Sequence, residues 1–181
     1  MDVIFIHGCV ASGKHTIGTK LSELTGLPLF HNHLAVDAAK GLFAFGTPSF
    51  VRLRAAIWRT AFAEAAVTEL SFIFTFNPEA TVDPALIAEL CESVEVVGGR
   101  VQFVRLDCSR ESIMERLGNA SRGKFGKLTD RDLYATLEAQ GAFTFPSLPD
   151  PVLIIDTDTV GPDAAARMIA TALALGANSA T

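Results

Sequence analysis

A glycine-rich segment near the start of the chain has the residue types and the spacing that bind phosphate groups. Residues Gly8 to Lys14 match the pattern Gly-x4-Gly-Lys. The two glycines let the backbone turn so that successive N–H groups point at phosphate oxygens, and the lysine adds a full positive charge at the terminal phosphates. The motif predicts contacts to the phosphates of ATP or a close relative. The candidate residues are Gly8, Ala11, Ser12, Gly13, Lys14, His15 and Thr16.

The position after the lysine departs from that pattern. His15 stands where a serine or threonine hydroxyl normally contacts Mg²⁺, and Thr16 follows one residue later. We expect the Thr16 hydroxyl to reach a phosphate or the metal, with water or another side chain such as Asn32 completing the Mg²⁺ contacts. Cys9 lies inside the loop and is interpreted either as a tolerated small side chain or as a redox switch.

Three polar residues, His31, Asn32 and His33, follow a short apolar segment. Two imidazoles on one short loop can bind an anionic or hydroxylated molecule, and a neutral histidine is a suitable general base near pH 7. His33 is therefore a candidate base, and Asp37, one helical turn later, is the competing carboxylate. A purely structural role for the two histidines is the alternative.

Apolar runs alternate with amphipathic segments along the chain, which is the pattern of a parallel sheet covered by helices. Five strands are predicted, at residues 3–7, 28–30, 72–76, 101–106 and 152–155. Helices are predicted at 13–24, in two pieces within 34–70, at 84–94, at 109–116 and from 162 onward. The phosphate loop thus joins a buried strand to an amphipathic helix, which is the context that the motif requires.

The composition limits the class of protein. A length of 181 residues suits one domain, and no apolar run reaches the roughly 18 to 20 residues that span a bilayer. The first residues lack the basic start and the cleavage site of a signal peptide, so we expect a cytoplasmic protein. A net charge of -5 favours a small ligand over nucleic acid. Three cysteines, far apart along the chain, predict neither a disulfide framework nor a zinc site.

With the phosphate loop first, the polar triplet after strand 2 and a basic segment after strand 4, the chain resembles the P-loop small-molecule kinases. Shikimate kinase, gluconate kinase and chloramphenicol phosphotransferase are of this type. The likeness of layout covers nearly the whole chain, and the phosphate loop is its specific motif. The resemblance implies an α/β, three-layer P-loop NTPase fold, with a five-stranded parallel sheet of order 2-3-1-4-5, helices on both faces and a flexible lid. It also implies ATP and Mg²⁺ as cofactors, and transfer of the γ-phosphate to a hydroxyl.

The same resemblance assigns roles to basic residues. The lid of those kinases carries one arginine near the adenine and another on the phosphates, and Arg116 and Arg122 stand in matching positions. From Arg116 to Lys127 there are four basic residues and no acidic one, which suits a lid at about 118–131 that stabilises charge in the transition state. A solvated basic loop is the alternative. The segment 156–162 resembles the loop beside the adenine ring.

Acidic residues are missing where those kinases have them. Shikimate kinase has two aspartates at the end of strand 2, where this chain has His31, Asn32 and His33. These kinases often place an acid at the end of strand 3, whereas residues 72–76 offer only Thr75. The acid that would hold Mg²⁺ is therefore left unassigned.

Two functions remain open from the sequence. The first is an ATP-dependent phosphotransferase whose small hydroxylated acceptor lies between the polar triplet and the helices of residues 34–70. There Arg54 is a candidate contact to an acidic acceptor, with a solvated helix face as the alternative. The second is a nucleotide-binding regulator or degenerate NTPase, which His15 and the missing acid favour. A nucleic-acid-dependent motor is excluded, because it needs inserted domains and basic surfaces that this acidic chain lacks.

Overall fold

Five strands form one parallel sheet in the computed structural model, which describes residues 1–118, 128–145 and 148–176. The strand order is β2-β3-β1-β4-β5, so the order 2-3-1-4-5 is confirmed. Parallel pairing joins every neighbouring pair in that order. The strands are β1 Asp2–Gly8, β2 Leu29–His31, β3 Phe72–Phe76, β4 Arg100–Asp107 and β5 Leu153–Asp156.

Helices connect the strands and cover both faces of the sheet. Among the described residues, four helices follow a residue whose side chain accepts a backbone N–H of the first turn: Thr47, Asp83, Ser109 and Asp130. Such caps satisfy N–H groups that have no partner inside the helix. Within the described ranges the helices are α1 Lys14–Thr25, α2 Asn32–Lys40, α3 Pro48–Val67, α4 Pro84–Glu95, α5 Arg110–Leu117, α6 Arg131–Ala139 and α7 Pro162–Ala172.

The polar triplet differs from the prediction. It was expected to form a short loop, but His31 is the last residue of β2, and Asn32 and His33 open α2. The reason is tertiary: His31 pairs with Thr75 of β3, and the Asn32 N–H donates to the Thr75 hydroxyl at 3.3 Å. The predicted two-part helical stretch is present as α2 and α3, separated by residues 41–47.

The central strand β1 is apolar on both faces because each face packs against a different layer. Phe5 lies in one buried cluster with aromatic residues of the sheet and of α3, including Phe74 and Trp58. Ile4 and Ile6 lie in the other cluster, with residues of α1 and α7. Each large side chain buried here contributes about 1.5 to 3 kcal/mol. The packing fixes the carboxyl end of β1, where the phosphate loop begins.

Two further observations bear on predictions from the sequence. No helix in the described part of the chain has the length and apolar character needed to cross a membrane. The predicted lid at 118–131 follows α5, but residues 119–127, including Arg122, lie outside the described residues.

Candidate active site

The phosphate loop has a backbone shape that only certain residues adopt easily. Gly8 has φ of 150° and pairs with Leu106 of β4, where a Cβ atom would lie 2.3 Å from the Leu106 carbonyl oxygen. Ala11 and Gly13 have φ of 63° and 91°, in the left-handed region. Alternation of left- and right-handed residues turns successive N–H groups to one side and makes an anion-binding concavity. Gly13 then caps α1, as the motif predicts.

Lys14 is folded back onto this loop. Its ammonium group donates to the carbonyl oxygens of Gly8 at 2.9 Å and of Cys9, and to the hydroxyl of the buried Ser12 at 3.3 Å. It also donates to Oδ1 of Asn77, just after β3, at 3.3 Å. These neutral acceptors are weaker partners for a cation than phosphate oxygens, so a bound phosphate would compete for the ammonium group.

His7 lies directly before the loop and is uncharged. Burial, together with the positive charges of Lys14 and Arg105, lowers the pKa of His7 to about 4, and Asp107 opposes this shift. The ring packs edge-on against Phe103 with a centroid distance of 6.1 Å. His7 therefore adds no charge to the phosphate site at neutral pH.

A cavity of about 940 Å³ opens above the phosphate loop. On the β4–β5 side of the loop the lining includes Arg116 and the segment between β5 and α7, with Thr157; this side of the cavity is called the first arm. On the β3–β2 side it includes the start of α2, the residues after β3 and the segment between α2 and α3; this side is called the second arm. The loop thus lies where the two arms meet, at the carboxyl ends of the strands, where open α/β sheets bind ligands.

Arg116 connects the two walls of the first arm. Its guanidinium group donates to the hydroxyl and the carbonyl of Thr157 at 3.0 and 2.7 Å, and to the Ala11 carbonyl of the phosphate loop at 3.4 Å. It also pairs with Asp158 at 3.4 Å. Hydrogen bonds from Ser112 and Ser109 and the charge of Arg116 hold the pKa of Asp158 below its usual value. Arg116 lies beside the segment predicted to contact the adenine.

The polar triplet contributes unequally to the second arm. Asn32 and His33 line the cavity, as do His15 and Thr16 of α1. His31 does not, and its ring lies 4.7 Å from that of His15 and 6.3 Å from that of His33. The competing carboxylate, Asp37, is exposed on α2 and lies outside the lining of the cavity.

The side-chain oxygens of Asn32 and Thr16 are the candidate ligands for a hard cation beside the loop. Within the described ranges, no three His, Cys, Asp or Glu side chains cluster closely enough to hold a metal. The side-chain oxygen of Asn32 is buried and accepts no hydrogen bond from the residues that the structure describes. It lines the same cavity as the Thr16 hydroxyl. Mg²⁺ commonly takes few protein oxygens and completes its shell with phosphate and water, so these residues are compatible with it.

Arg54 differs from both sequence-based alternatives. It is neither a solvated residue nor part of the cavity lining, because only 1% of its side chain is exposed and it forms an ion pair with Glu79. It also donates to the carbonyl and hydroxyl of Thr81 at 3.0 and 3.2 Å. Its guanidinium carbon lies 5.2 and 5.1 Å from the ring centroids of Phe50 and Trp58. Arg52 and Arg59 on the same helix are exposed, in contrast to Arg54.

Glu79 is an acidic residue shortly after β3 that was not among the candidates from the sequence. It comes three residues after the end of β3, lines the cavity and is held by Arg54. The Thr81 hydroxyl donates to its Oε1 at 2.9 Å, and Arg54 uses the same oxygen, which leaves Oε2 for a ligand among the described contacts. One sequence signal indicates that a carboxylate is needed, without saying which one: Arg54 lies on the apolar face of α3 with Phe50 and Trp58, and a buried arginine needs an anionic partner.

Two cysteines that are far apart in sequence meet beside the phosphate loop. The Sγ atoms of Cys9 and Cys108 lie 3.2 Å apart, and both thiols are free. Because β1 and β4 are neighbours, with Gly8 opposite Leu106, the residues after both strands are brought together. The two cysteines are 99 residues apart in sequence, so the sequence alone gives no sign of this contact.

Comparisons with solved structures show the class of fold. The chain is similar to a sugar kinase from Janibacter sp. HTCC2649, with 18% identity, 97% and 96% of the two chains covered and a TM-score of 0.67. It is also similar to a gluconokinase from Sinorhizobium meliloti 1021, with 17% identity, 96% of this chain and 91% of the other covered, and a TM-score of 0.63. The Mycobacterium tuberculosis APS kinase, solved with AMPPNP and APS, has 15% identity, with 96% of this chain and 97% of the other covered and a TM-score of 0.64. No family model and no curated protein matches the sequence.

The topology and these similarities place the chain in the class of three-layer α/β P-loop folds. Within that class it has the fold of the P-loop small-molecule kinases.

Proposed function

We propose that the chain is an ATP-dependent phosphotransferase that moves the γ-phosphate to a hydroxyl group of a small molecule. The observation that carries this proposal is the two-armed cavity, because one arm suits a nucleotide and the other offers polar side chains to an acceptor. Phosphoryl transfer needs the two substrates in line at the phosphate loop, and most of its catalysis is positioning and charge stabilisation. The loop at the junction of the arms meets that need.

The nucleotide half of the site consists of the loop, Lys14 and the Arg116 arm. The loop N–H groups would bind the phosphates, and Lys14 would exchange its carbonyl partners for phosphate oxygens. Thr16 and Asn32 would hold Mg²⁺, which supplies charge neutralisation on the phosphates when bound. From the resemblance, Arg122 is proposed to contact the phosphates during transfer, and Arg116 to position the adenine.

The acceptor half is proposed to hold a hydroxylated molecule. Glu79, fixed by Arg54, would accept hydrogen bonds from acceptor hydroxyl groups through Oε2. His33 would take the proton from the attacking hydroxyl, since it lines the same arm. Asn32 and His33 lie beside the loop because α2 starts at the end of β2. Arg54 would thus act on the acceptor through Glu79. His33 is preferred to Asp37 as the base because Asp37 is not among the residues that line the cavity.

The experiment is a screen of hydroxylated metabolites, nucleosides and antibiotics for acceptor-dependent release of ADP. An acceptor that raises ADP release above basal hydrolysis would support the proposal. If no acceptor raises the rate of ATP hydrolysis, the chain is better explained as a nucleotide-binding regulator or degenerate NTPase. His15, which stands where a hydroxyl normally binds the metal, is the observation that supports this alternative.

Two variants test the assignment of residues. We expect Lys14→Ala to abolish turnover and leave the fold intact, because Lys14 is not part of the buried core. His33→Ala should lower turnover at saturating substrates by about 100-fold, the lower end of general base contributions. The measurements are initial rates and circular dichroism of each variant. Wild-type turnover in Lys14→Ala would contradict the phosphate site.

A further inference from the structure

The thiol pair beside the phosphate loop consists of two chemically different cysteines. Cys9 is the second residue of the loop and is exposed, whereas Cys108 directly follows β4 and is half-buried. The hydrogen bond with Cys108 and the charge of Lys14 lower the pKa of Cys9 to about 7, although burial opposes this shift. The hydrogen bond with Cys9 and burial raise the pKa of Cys108. At neutral pH the proton shared by the pair therefore stays on Cys108, and Cys9 carries thiolate character.

We propose that Cys9 and Cys108 form a reversible oxidation site, at which hydrogen peroxide creates a disulfide that ties the phosphate loop to the end of β4 and lowers nucleotide affinity. The proposal goes beyond the phosphotransferase function, because formation of the bond does not depend on a substrate. The geometry that carries it is the 3.2 Å separation of two free thiols, one of which belongs to the loop itself.

The chemistry balances with peroxide as the oxidant. The Cys9 thiolate attacks one peroxide oxygen and the O–O bond breaks, which leaves a sulfenic acid on Cys9 and a hydroxide that takes up the proton released by the thiol. The Cys108 sulfur then attacks the Cys9 sulfur and the S–O bond breaks. The leaving hydroxide takes the Cys108 proton, so the second product is also water. Two thiols lose two electrons in total, and one peroxide becomes two waters.

The bond would change the loop because the loop is held through Cys9. A disulfide brings its sulfur atoms to about 2 Å, so the two sulfur atoms must approach each other by about 1 Å in total. The Cys9 carbonyl accepts from Lys14 and, at 3.3 Å, from the Ser12 N–H. A shift of Cys9 therefore disturbs both the position of Lys14 and the backbone turn that the Ser12 N–H closes within the phosphate loop.

Cys91 provides a control thiol in the same chain. It lies on α4 against the aromatic cluster, and burial raises its pKa to about 11, so it should react slowly with peroxide. Cys91→Ala removes this thiol and leaves the pair beside the loop unchanged.

The test treats the full chain with hydrogen peroxide and measures two properties. Peptide mapping after alkylation identifies the linked cysteines, and titration with ATP gives the dissociation constant before and after dithiothreitol. We expect wild type and Cys91→Ala to form the Cys9 to Cys108 link and to lose ATP affinity at least tenfold, with recovery on reduction. In Cys108→Ser, dimedone should trap a sulfenic acid on Cys9. In Cys9→Ser, peroxide should leave ATP affinity unchanged.

Two results would overturn the proposal. One is that Cys9 and Cys108 both remain open to alkylation after peroxide treatment. The other is that the link forms while ATP affinity stays within twofold of the reduced protein, which would remove the proposed effect on the loop. Failure of the reduced wild type to bind ATP would contradict the phosphotransferase proposal and the effect on affinity together, whereas the peptide map still decides the thiol chemistry by itself.

Discussion

At the scale of single residues, the buried ion pair between Arg54 and Glu79 has the clearest consequence. Arg54 is almost fully buried, and 13% of the Glu79 side chain is exposed where it meets the cavity. Removal of one partner from a buried pair leaves an uncompensated charge and typically costs about 3 to 5 kcal/mol. The pair therefore makes the position of Glu79 depend on the core packing of α3.

We expect Glu79→Gln to raise the KM for the acceptor by about 10- to 100-fold, because a hydrogen bond to a charged group contributes about 1.5 to 3 kcal/mol. The KM for ATP should change little, since Glu79 lies in the acceptor arm. Glu89→Gln is the matched control: Glu89 of α4 pairs with Arg59 of α3, but both side chains are about half exposed. Exposed pairs contribute about 0 to 1 kcal/mol. Equal kinetics in the two variants would contradict the role of Glu79.

His7 predicts a specific dependence of stability on pH. Its pKa falls from 6.5 to about 4 on folding, so between these values the unfolded chain binds a proton that the folded chain does not. As pH falls from 6.5 to 4, the free energy of unfolding should therefore decrease by up to about 3 kcal/mol from this group. Above pH 6.5 the group contributes no pH dependence.

The measurement is urea unfolding of wild type and His7→Phe between pH 4 and 7.5. Phenylalanine keeps a ring beside Phe103 and removes a buried Nε2 that has no hydrogen-bond partner among the described residues. The difference between the two stability curves should grow as the pH falls below 6.5. Parallel curves would mean that His7 is not held neutral in the folded protein.

At the scale of elements, local sequence was enough to predict the strand, loop and helix around the phosphate site. β1 is a continuous apolar run, and Gly8 and Gly13 mark where the chain must turn, so the signals are all within 25 residues. The start of α2 was not predicted, because it depends on a hydrogen bond from Asn32 to Thr75, which is 43 residues away. Caps that are supplied by another strand leave no mark in the nearby sequence.

We expect Gly8→Ala to disrupt the junction of β1 with the loop. The new Cβ would lie 2.3 Å from the Leu106 carbonyl oxygen, so the backbone of one strand must shift, at a cost of about 1 to 3 kcal/mol or more. Gly41→Ala is the control, because Gly41 has a helical φ of -60° and its nearest contact would be an ordinary 3.4 Å. The temperature of thermal unfolding and the affinity for ATP should both fall in Gly8→Ala and stay unchanged in Gly41→Ala. A wild-type unfolding temperature in Gly8→Ala would mean that the backbone of β4 shifts at little cost in stability.

At the scale of the whole molecule, the order of the strands determines which residues meet. The resemblance supplied the order 2-3-1-4-5, and the sheet has it. Order alone does not say how far a side chain reaches past the end of its strand. The meeting of Cys9 with Cys108, and the pairing of Arg54 with Glu79, follow from the placement of residues just beyond β1, β3 and β4. These contacts span 99 and 25 residues, and no local pattern encodes them.

The hydrogen bond from Lys14 to Asn77 joins the two arms of the cavity, since Asn77 lies two residues before Glu79. A nucleotide that draws Lys14 away would release the Asn77 oxygen to the acceptor arm, and reciprocity requires any gain in acceptor affinity to appear equally in nucleotide affinity. With an acceptor from the screen, a non-hydrolysable ATP analogue should tighten its binding about fivefold, and Asn77→Ala should abolish that cooperativity. Identical acceptor affinity with and without the analogue would contradict the coupling. If it holds, the acceptor should tighten the binding of the ATP analogue by the same factor, because the coupling between the two substrates is reciprocal.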